Sequence, residues 1–277
     1  MVVKEMELQE EVSKVGKVKE NKIKLNFSPT SINMYHKSPL LFYLTYIAKV
    51  PDDTFVPVCY SLSGNIVHNC LEKYAAGELS KDDTYTFLVE QWIEKNLHLH
   101  KDVKDNPLDQ NIYLSALIRG MRIVEEHEEH ICEELFSFPF KENNEMKIGV
   151  KGIVDLQAKN KIHKQLVIID YKTSNSVSEG KEFDRQALFY NYLIHKRKGF
   201  LPTRTTFHYL KLGVSKNYNF THLDIQYFEE ELLAIAEKIF QYGKEISNYP
   251  IGDIDDLFNS KKQACLREVA RREMFLK

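Results

Sequence analysis

The sequence predicts a mixed α/β fold with a large helical N-terminal part. Helix-start signals and helical apolar spacing run from residue 28 to about 132. From about 133 the pattern changes to the two-residue alternation of strands. A helix, a further strand and more helices then follow, an order that suits one mixed sheet with helices packed on it. With 277 residues the chain can bury a substantial core. The expected organisation is a charged arm over 1–24 and a single domain over 25–277. Within that domain the helical part covers about 28–132, the α/β core about 133–215 and the C-terminal helices about 226–275.

Taken in order, the first 24 residues are rich in Lys and Glu and poor in large apolar residues, the composition of a flexible arm. Ser28 is an N-cap with Pro29 at the first helical position. Ile32, Tyr35, Leu40, Phe42, Tyr43 and Tyr46 then form an aromatic helical surface interrupted at Pro39. SLSGNIVHNCLEKYAAG reads as a helix started near Ser61 or Ser63 and stopped near Gly77, with His68 and Glu72 one turn apart on one face. Two longer helices are expected over Lys81 to about His100 and Leu108 to about Cys132, separated by Asn106-Pro107. The second ends in EEHEEHICEE. His127 and His130 are three apart, which fails the HExxH spacing, and no ExxH precedes them, so an acidic solvated helix face is expected.

LFSFPF reads as a strand. EFDRQALFYNYLIHKRKG reads as a helix burying Phe183, Ala187, Tyr190 and Ile194, with Gln186 and Tyr190 able to present polar tips together. RTTFHYLKLG is another strand, and FEEELLAIAEKIFQYGKEI an amphipathic helix. The basic residues of the tail, Lys261, Lys262, Arg267, Arg271 and Arg272, suit a solvated helix face and a nucleic-acid contact equally.

Composition narrows the function. A formal net charge of −2 makes the chain no blanket polyanion binder, so nucleic-acid contacts would come from local patches. No apolar run approaches the ~20 residues of a membrane span, and the N-terminus lacks the apolar core of a secretion signal. Cys59, Cys70, Cys132 and Cys265 show no CxxC and no disulfide rhythm, which points to a reducing, cytoplasmic setting. A Gly-rich phosphate loop, a GxSxG elbow and internal repeats are absent from the sequence.

The most informative stretch is GVKGIVDLQAKNKIHKQLVIIDYKT, residues 149–173. Val150, Gly152, Val154 and Leu156 alternate with Lys151, Ile153, Asp155 and Gln157, and LVIID is a β-branched run. KNKIHKQ between them is turn-like, so an antiparallel hairpin is expected. Asp170 and Lys172, two apart on a strand, share a face roughly 7 Å apart. A turn centred on Ile162 and His163 puts Asp155 opposite Asp170, with Cβ atoms about 5 Å apart. Two acids that close repel unless a cation lies between them, and a hard divalent ion with oxygen ligands resolves the conflict. The same residues also suit an ordinary salt bridge between strand acids and a lysine.

The ordered set Gly152–Asp155 (G-x-x-D), Asp170–Lys172 (D-x-K, as DYKT) and Gln186–Tyr190 (Q-x-x-x-Y) resembles the PD-(D/E)XK nuclease superfamily in its RecB-like branch, which includes the CRISPR-associated RecB-like exonucleases. SPTSINMYHKSPLLFYLTYI is similar to that family's opening helix, and GNIVH, ending in His68, to its G-x-x-x-H segment. The resemblance spans about Phe27 to Gly199. It implies a restriction-endonuclease-like core, a mixed central β-sheet flanked by helices. It further implies that His68, Asp155, Asp170 and the backbone carbonyl of Tyr171 hold Mg²⁺ or Mn²⁺, with Lys172 acting on the attacking water and on the phosphate charge. Gln186 and Tyr190 would position the substrate strand or orient the lysine. The implied substrate is DNA, as single-stranded or double-stranded ends, in recombination, repair or replication. An endonuclease, an RNA-acting member and a nuclease-fold binding or assembly subunit with little hydrolytic activity stay open as alternatives. One departure stands out. Relatives with an iron–sulfur cluster carry a cysteine before the proline of the opening helix and three more near the C-terminus; here Ser38 precedes Pro39 and the tail has only Cys265. No cluster is expected, and the C-terminus is expected to be held by helix packing alone.

Overall fold

A computed structural model of the chain describes residues 22–55, 58–102, 104–177, 180–255 and 259–275. Most of the charged arm therefore lies outside the described residues, but its last three positions do not. Strand β1 (Ile23–Phe27) begins inside it, with Leu25 and Phe27 turned into the core. The arm boundary at 24 is thus corrected. The alternation Ile23, Leu25, Phe27 was present in the sequence but spans only five residues.

Helix α1 (Pro29–Lys37) starts as expected: Ser28 and Ser31 form a reciprocal capping box and Pro29 occupies the first turn. Pro39 opens a short second helix, α2 (Pro39–Phe42), capped by Ser38 and running into a wider π turn over Tyr43–Ile47. Helix α3 (Cys59–Ala75) ends just before Gly77, whose φ of 74° stops it. Helix α4 (Lys81–Glu94) is shorter than the expected run to His100, because Asn96 turns left-handed and a 3-10 turn over Leu97–Leu99 follows. Helix α5 (Gln110–Glu125) stops at the first residue of the acidic cluster.

Here the structure overturns the sequence reading. EEHEEHICEE is not a helix face; from His127 it is part of a 16-residue strand, β2 (His127–Glu142). Its partner is β3 (Met146–Asn160), antiparallel from His127↔Asn160 to Glu142↔Lys147. That long ladder overrides a weak local helix preference. Glu129 and Glu133 adopt positive φ (52° and 47°), incompatible with helix continuation.

The expected hairpin is present. β3 turns at Asn160, whose side chain accepts from the Ile162 and His163 amides, into β4 (Leu166–Lys172). Helix α6 (Lys181–Lys198) crosses over to β5 (Arg204–Tyr209), parallel to β4, and β6 (Val214–Tyr218) returns antiparallel. β6 was not anticipated, because only Tyr218 of its five residues is buried. Helix α7 (His222–Tyr242) and helix α8 (Lys262–Phe275) complete the chain.

The sheet order is β1-β3-β4-β5-β6, with β2 also on β3. β2 takes one edge of β3 along nearly its whole length. The other edge is shared: β1 pairs in parallel with Met146–Val150, and β4 pairs antiparallel with Leu156–Lys159. Among the described residues no strand pairs with 151–155 on that edge. The C-terminal ends of β1 and β4 face each other across this fork. Helices α1, α6 and α7 pack on one side of the sheet, and α3, α4 and α5 on the other.

The basic tail is engaged within the protein. Lys261, buried, donates to the Val50 carbonyl at 2.6 Å and to Asp52 at 2.7 Å, while Arg267 pairs with Asp53. Glu268 binds both Arg271 and Arg272, and Arg272 reaches the carbonyls of Ile246 and Tyr249. Asp53 also accepts from the Gln263 and Ala264 amides at the start of α8. The expectation that helix packing alone holds the C-terminus is therefore corrected. Charge-assisted hydrogen bonds, partly buried where Lys261 and Glu268 make them, contribute as well, beside the apolar contacts of Leu40, Leu41 and Leu44 with Ala264 and Cys265.

Candidate active site

The fork in the sheet holds the residues singled out from sequence. The β3–β4 ladder ends at Leu156↔Ile169. One step further the same register brings Asp155 opposite Asp170. In place of the next rung, the Tyr171 amide donates to the Asp155 carboxylate (3.0 Å to Oδ2). The same oxygen lies 3.2 Å from His68 Nδ1, which α3 brings over the sheet. Gly64, one turn before His68, makes that approach possible: a Cβ there would sit 2.7 Å from Thr173 Oγ1 at the end of β4. On the opposite side of the sheet, a Cβ at Gly152 would meet Leu193 of α6 at 2.6 Å. The two glycines let a helix close down on each face of the hairpin.

Asp170 organises the second half of the site. Its Oδ2 lies 2.6 Å from Lys172 Nζ, and its Oδ1 accepts from the Tyr190 hydroxyl at 3.0 Å. Lys172 donates to Gln186 Oε1 at 2.9 Å, and Gln186 Nε2 donates to Tyr190 Oη at 2.7 Å. The four side chains form a closed ring of contacts between β4 and one face of α6. Lys172 Nζ also lies over the rings of Phe207 (4.7 Å) and Phe183 (5.0 Å), which fix its stem and help stabilise its charge.

The charges are strongly interdependent. Burial would lower the His68 pKa, but the Asp155 carboxylate outweighs it and raises it to about 9. Burial would raise the Asp155 carboxyl, yet His68, the Tyr171 amide and Lys172 together hold it below its ordinary value. Asp170 is pushed up by burial and by Asp155, with Lys172 opposing. Buried Tyr190 is also pushed well up, by burial and then by the two acids, so it serves Asp170 as a neutral donor.

Sequence reasoning missed one acid here. In the β2–β3 register Glu133 falls between Cys132↔Leu156 and Glu134↔Val154, directly opposite Asp155. Single ligand atoms of His68, Glu133 and Asp155 all lie within 4.8 Å of one another. Burial, then Asp155 and Glu72, push the Glu133 carboxyl up to about 7. The pleat changes sides at this pair. Ile148, Val150 and Val154 pack under α6, whereas Leu156 and Ala158 pack under α3 and α5. On β2, Phe136 and Cys132 divide in the same way. A left-handed residue in a strand interrupts the alternation, and Glu133 is that residue. The simple alternation from Val150 to Leu156 read from sequence is corrected accordingly. Reading the acidic cluster as a strand would have exposed Glu133, since the register alone places it beside Asp155.

The donors suit a hard divalent cation. One imidazole nitrogen and two carboxylates converge, and the buried Asp170 Oδ2, although beside Lys172, accepts no well-aligned hydrogen bond. Asp170 is not part of the three-residue convergence; its oxygens face Lys172 and Tyr190.

The family model of the PD-(D/E)XK nuclease superfamily matches residues 26–254, a span that contains every site residue described above, and the chain belongs to that superfamily. Similar solved structures include a candidate exonuclease from Eubacterium rectale, 10% identical, covering 84% of this chain and 85% of its own, with a TM-score of 0.46. Another is the protein designated SSO0001, 11% identical over 83% of each chain, with a TM-score of 0.34. No curated protein matches the chain. Among the described residues no helix is long and apolar enough to cross a membrane.

Proposed function

We propose that this nuclease-superfamily chain is a divalent-metal-dependent deoxyribonuclease of the RecB-like branch that degrades DNA from its ends, in recombination, repair or replication. The observation that carries the reading is the meeting of two half-sites at one fork: His68 with Asp155, and Asp170 with Lys172, Gln186 and Tyr190. In this reading His68, Asp155, Asp170 and the Tyr171 carbonyl hold Mg²⁺ or Mn²⁺. The bound ion would polarise the phosphate and lower the pKa of a water ligand.

The chain's own residues supply the rest. The Lys172 ammonium steadies negative charge on the non-bridging oxygens and orients the attacking water. Gln186 and Tyr190 orient Lys172 and Asp170 through the ring of contacts rather than by touching the scissile bond. A groove of about 820 Å³ beside Gln186, between α1 and α6, is lined by Lys37, Lys181 and Arg185 together with Glu182 and Asp253. It suits a single strand leading to the fork. Four free cysteines accord with a reducing intracellular setting.

The test is incubation with end-labelled linear single- and double-stranded DNA and with circles, in Mn²⁺ or Mg²⁺. Linear DNA shortened from its ends while circles stay intact is the expected result. Cleaved circles would make the chain an endonuclease. Binding without cleavage of any substrate would make it a nuclease-fold binding subunit.

A further inference from the structure

Glu133 has no place in the motifs that define the site, yet it lies against the His68–Asp155 half of it. Three observations single it out. It is opposite Asp155 in the β2–β3 register, and it shares a 4.8 Å cluster with Asp155 and His68. Among the described residues its carboxylate makes no hydrogen bond and no ion pair. Glu129 is the informative contrast. It lies on the same strand, also with positive φ (52°), but it is exposed and paired with Lys159 at 2.6 Å.

Two opposed carboxylates repel, and a strand position facing Asp155 would be more stable with an uncharged residue. A half-buried acid held there without a partner is explained if its partner is the cation. We propose that Glu133 is a further protein ligand of the divalent ion, joining His68 and Asp155 on the β2 side of the fork while Asp170 and the Tyr171 carbonyl face it from β4. β2 becomes part of the metal centre rather than a supporting edge strand. The inference rests on the metal-dependent reading above.

The experiment is direct titration of the full chain with Mn²⁺, without nucleic acid, read by electron paramagnetic resonance of free Mn²⁺ and paired with thermal melting of the metal-free protein. The chain is compared with Glu133→Gln, Glu129→Gln and Asp155→Asn. Glu133→Gln is expected to weaken Mn²⁺ binding at least about tenfold, as Asp155→Asn does, while Glu129→Gln leaves it unchanged. It is also expected to raise the metal-free melting temperature, because the repulsion with Asp155 is relieved. Loss of binding in Asp155→Asn but not in Glu133→Gln overturns the assignment of Glu133 and leaves the metal reading standing. A lowered melting temperature with unchanged Mn²⁺ affinity also overturns it, making Glu133 a structural residue. Failure of the unmodified chain to bind Mn²⁺ sinks the metal reading and Glu133's role with it.

Discussion

At the scale of single residues, the site depends on side chains holding other side chains. In the proposed mechanism Tyr190 acts through its hydroxyl, which donates to Asp170, while Gln186 links it to Lys172. Tyr190→Phe removes that donor without changing volume. It is expected to lower kcat by about ten- to a hundredfold with little change in KM, the signature of mispositioning. Steady-state kinetics on a labelled strand measure the split. Lys172→Arg is expected to fail almost as badly as Lys172→Ala. The planar guanidinium is a different shape from the ammonium that fits over Phe183 and Phe207 beside Asp170 and Gln186. Restored activity in Lys172→Arg would argue that only the charge matters.

At the scale of elements, the β3–β4 hairpin and its neighbouring helices set the geometry. Gly152 is where α6 comes nearest β3, and a Cβ there meets the movable end of Leu193. Because that methyl can shift, Gly152→Ala should destabilise the protein by only about 1 kcal/mol, the low end for overpacking, measured by denaturant unfolding. Combining it with Leu193→Ala should recover part of that loss, since the two changes share one space. The hairpin was legible in the sequence because its signals are local: alternation, a polar turn, and two acids whose register follows from the turn centre. His68 was legible only through the ordered motif. β2 was not legible, because its strand character comes from pairing with residues up to 33 positions away (His127↔Asn160). Its abundant Glu and left-handed residues carry no local strand signal. Glu133 was lost with it. β1 and β6 were missed because five residues give too little alternation to rise above the background.

At the scale of the whole molecule, the C-terminal segment closes back on the N-terminal helices. Ser38 donates to the Ile251 carbonyl, Leu40 N to the Pro250 carbonyl, and Lys261 and Arg267 clamp Asp52 and Asp53. Glu268 is the titratable hinge of this closure. Its hydrogen bonds to Arg271, and then to Arg272, hold its carboxyl down to about 2. A depressed folded pKa means stability that is present above the ordinary glutamate value of about 4.5 and is lost as pH falls toward about 2. Acidification through that window should expose α8 to proteolysis before the sheet unfolds. Glu268→Gln should remove the Glu268 share of the pH dependence, with α8 already loosened at neutral pH. An α8 that stays equally protected in the variant would place the closure in the Asp52 and Asp53 pairs with Lys261 and Arg267 and in the apolar contacts of Cys265 and Ala264.

The proposed hydrolysis requires Asp170 and Lys172 to work together as a pair at the fork. The most direct measurement is single-turnover release of nucleotides from end-labelled linear DNA in Mn²⁺, with and without a chelator, by the unmodified chain, Asp170→Asn and Lys172→Ala. Release that is abolished by the chelator, and reduced at least about a thousandfold by either substitution while DNA binding persists, is the predicted result. Release that survives both substitutions would rule out hydrolysis by this pair.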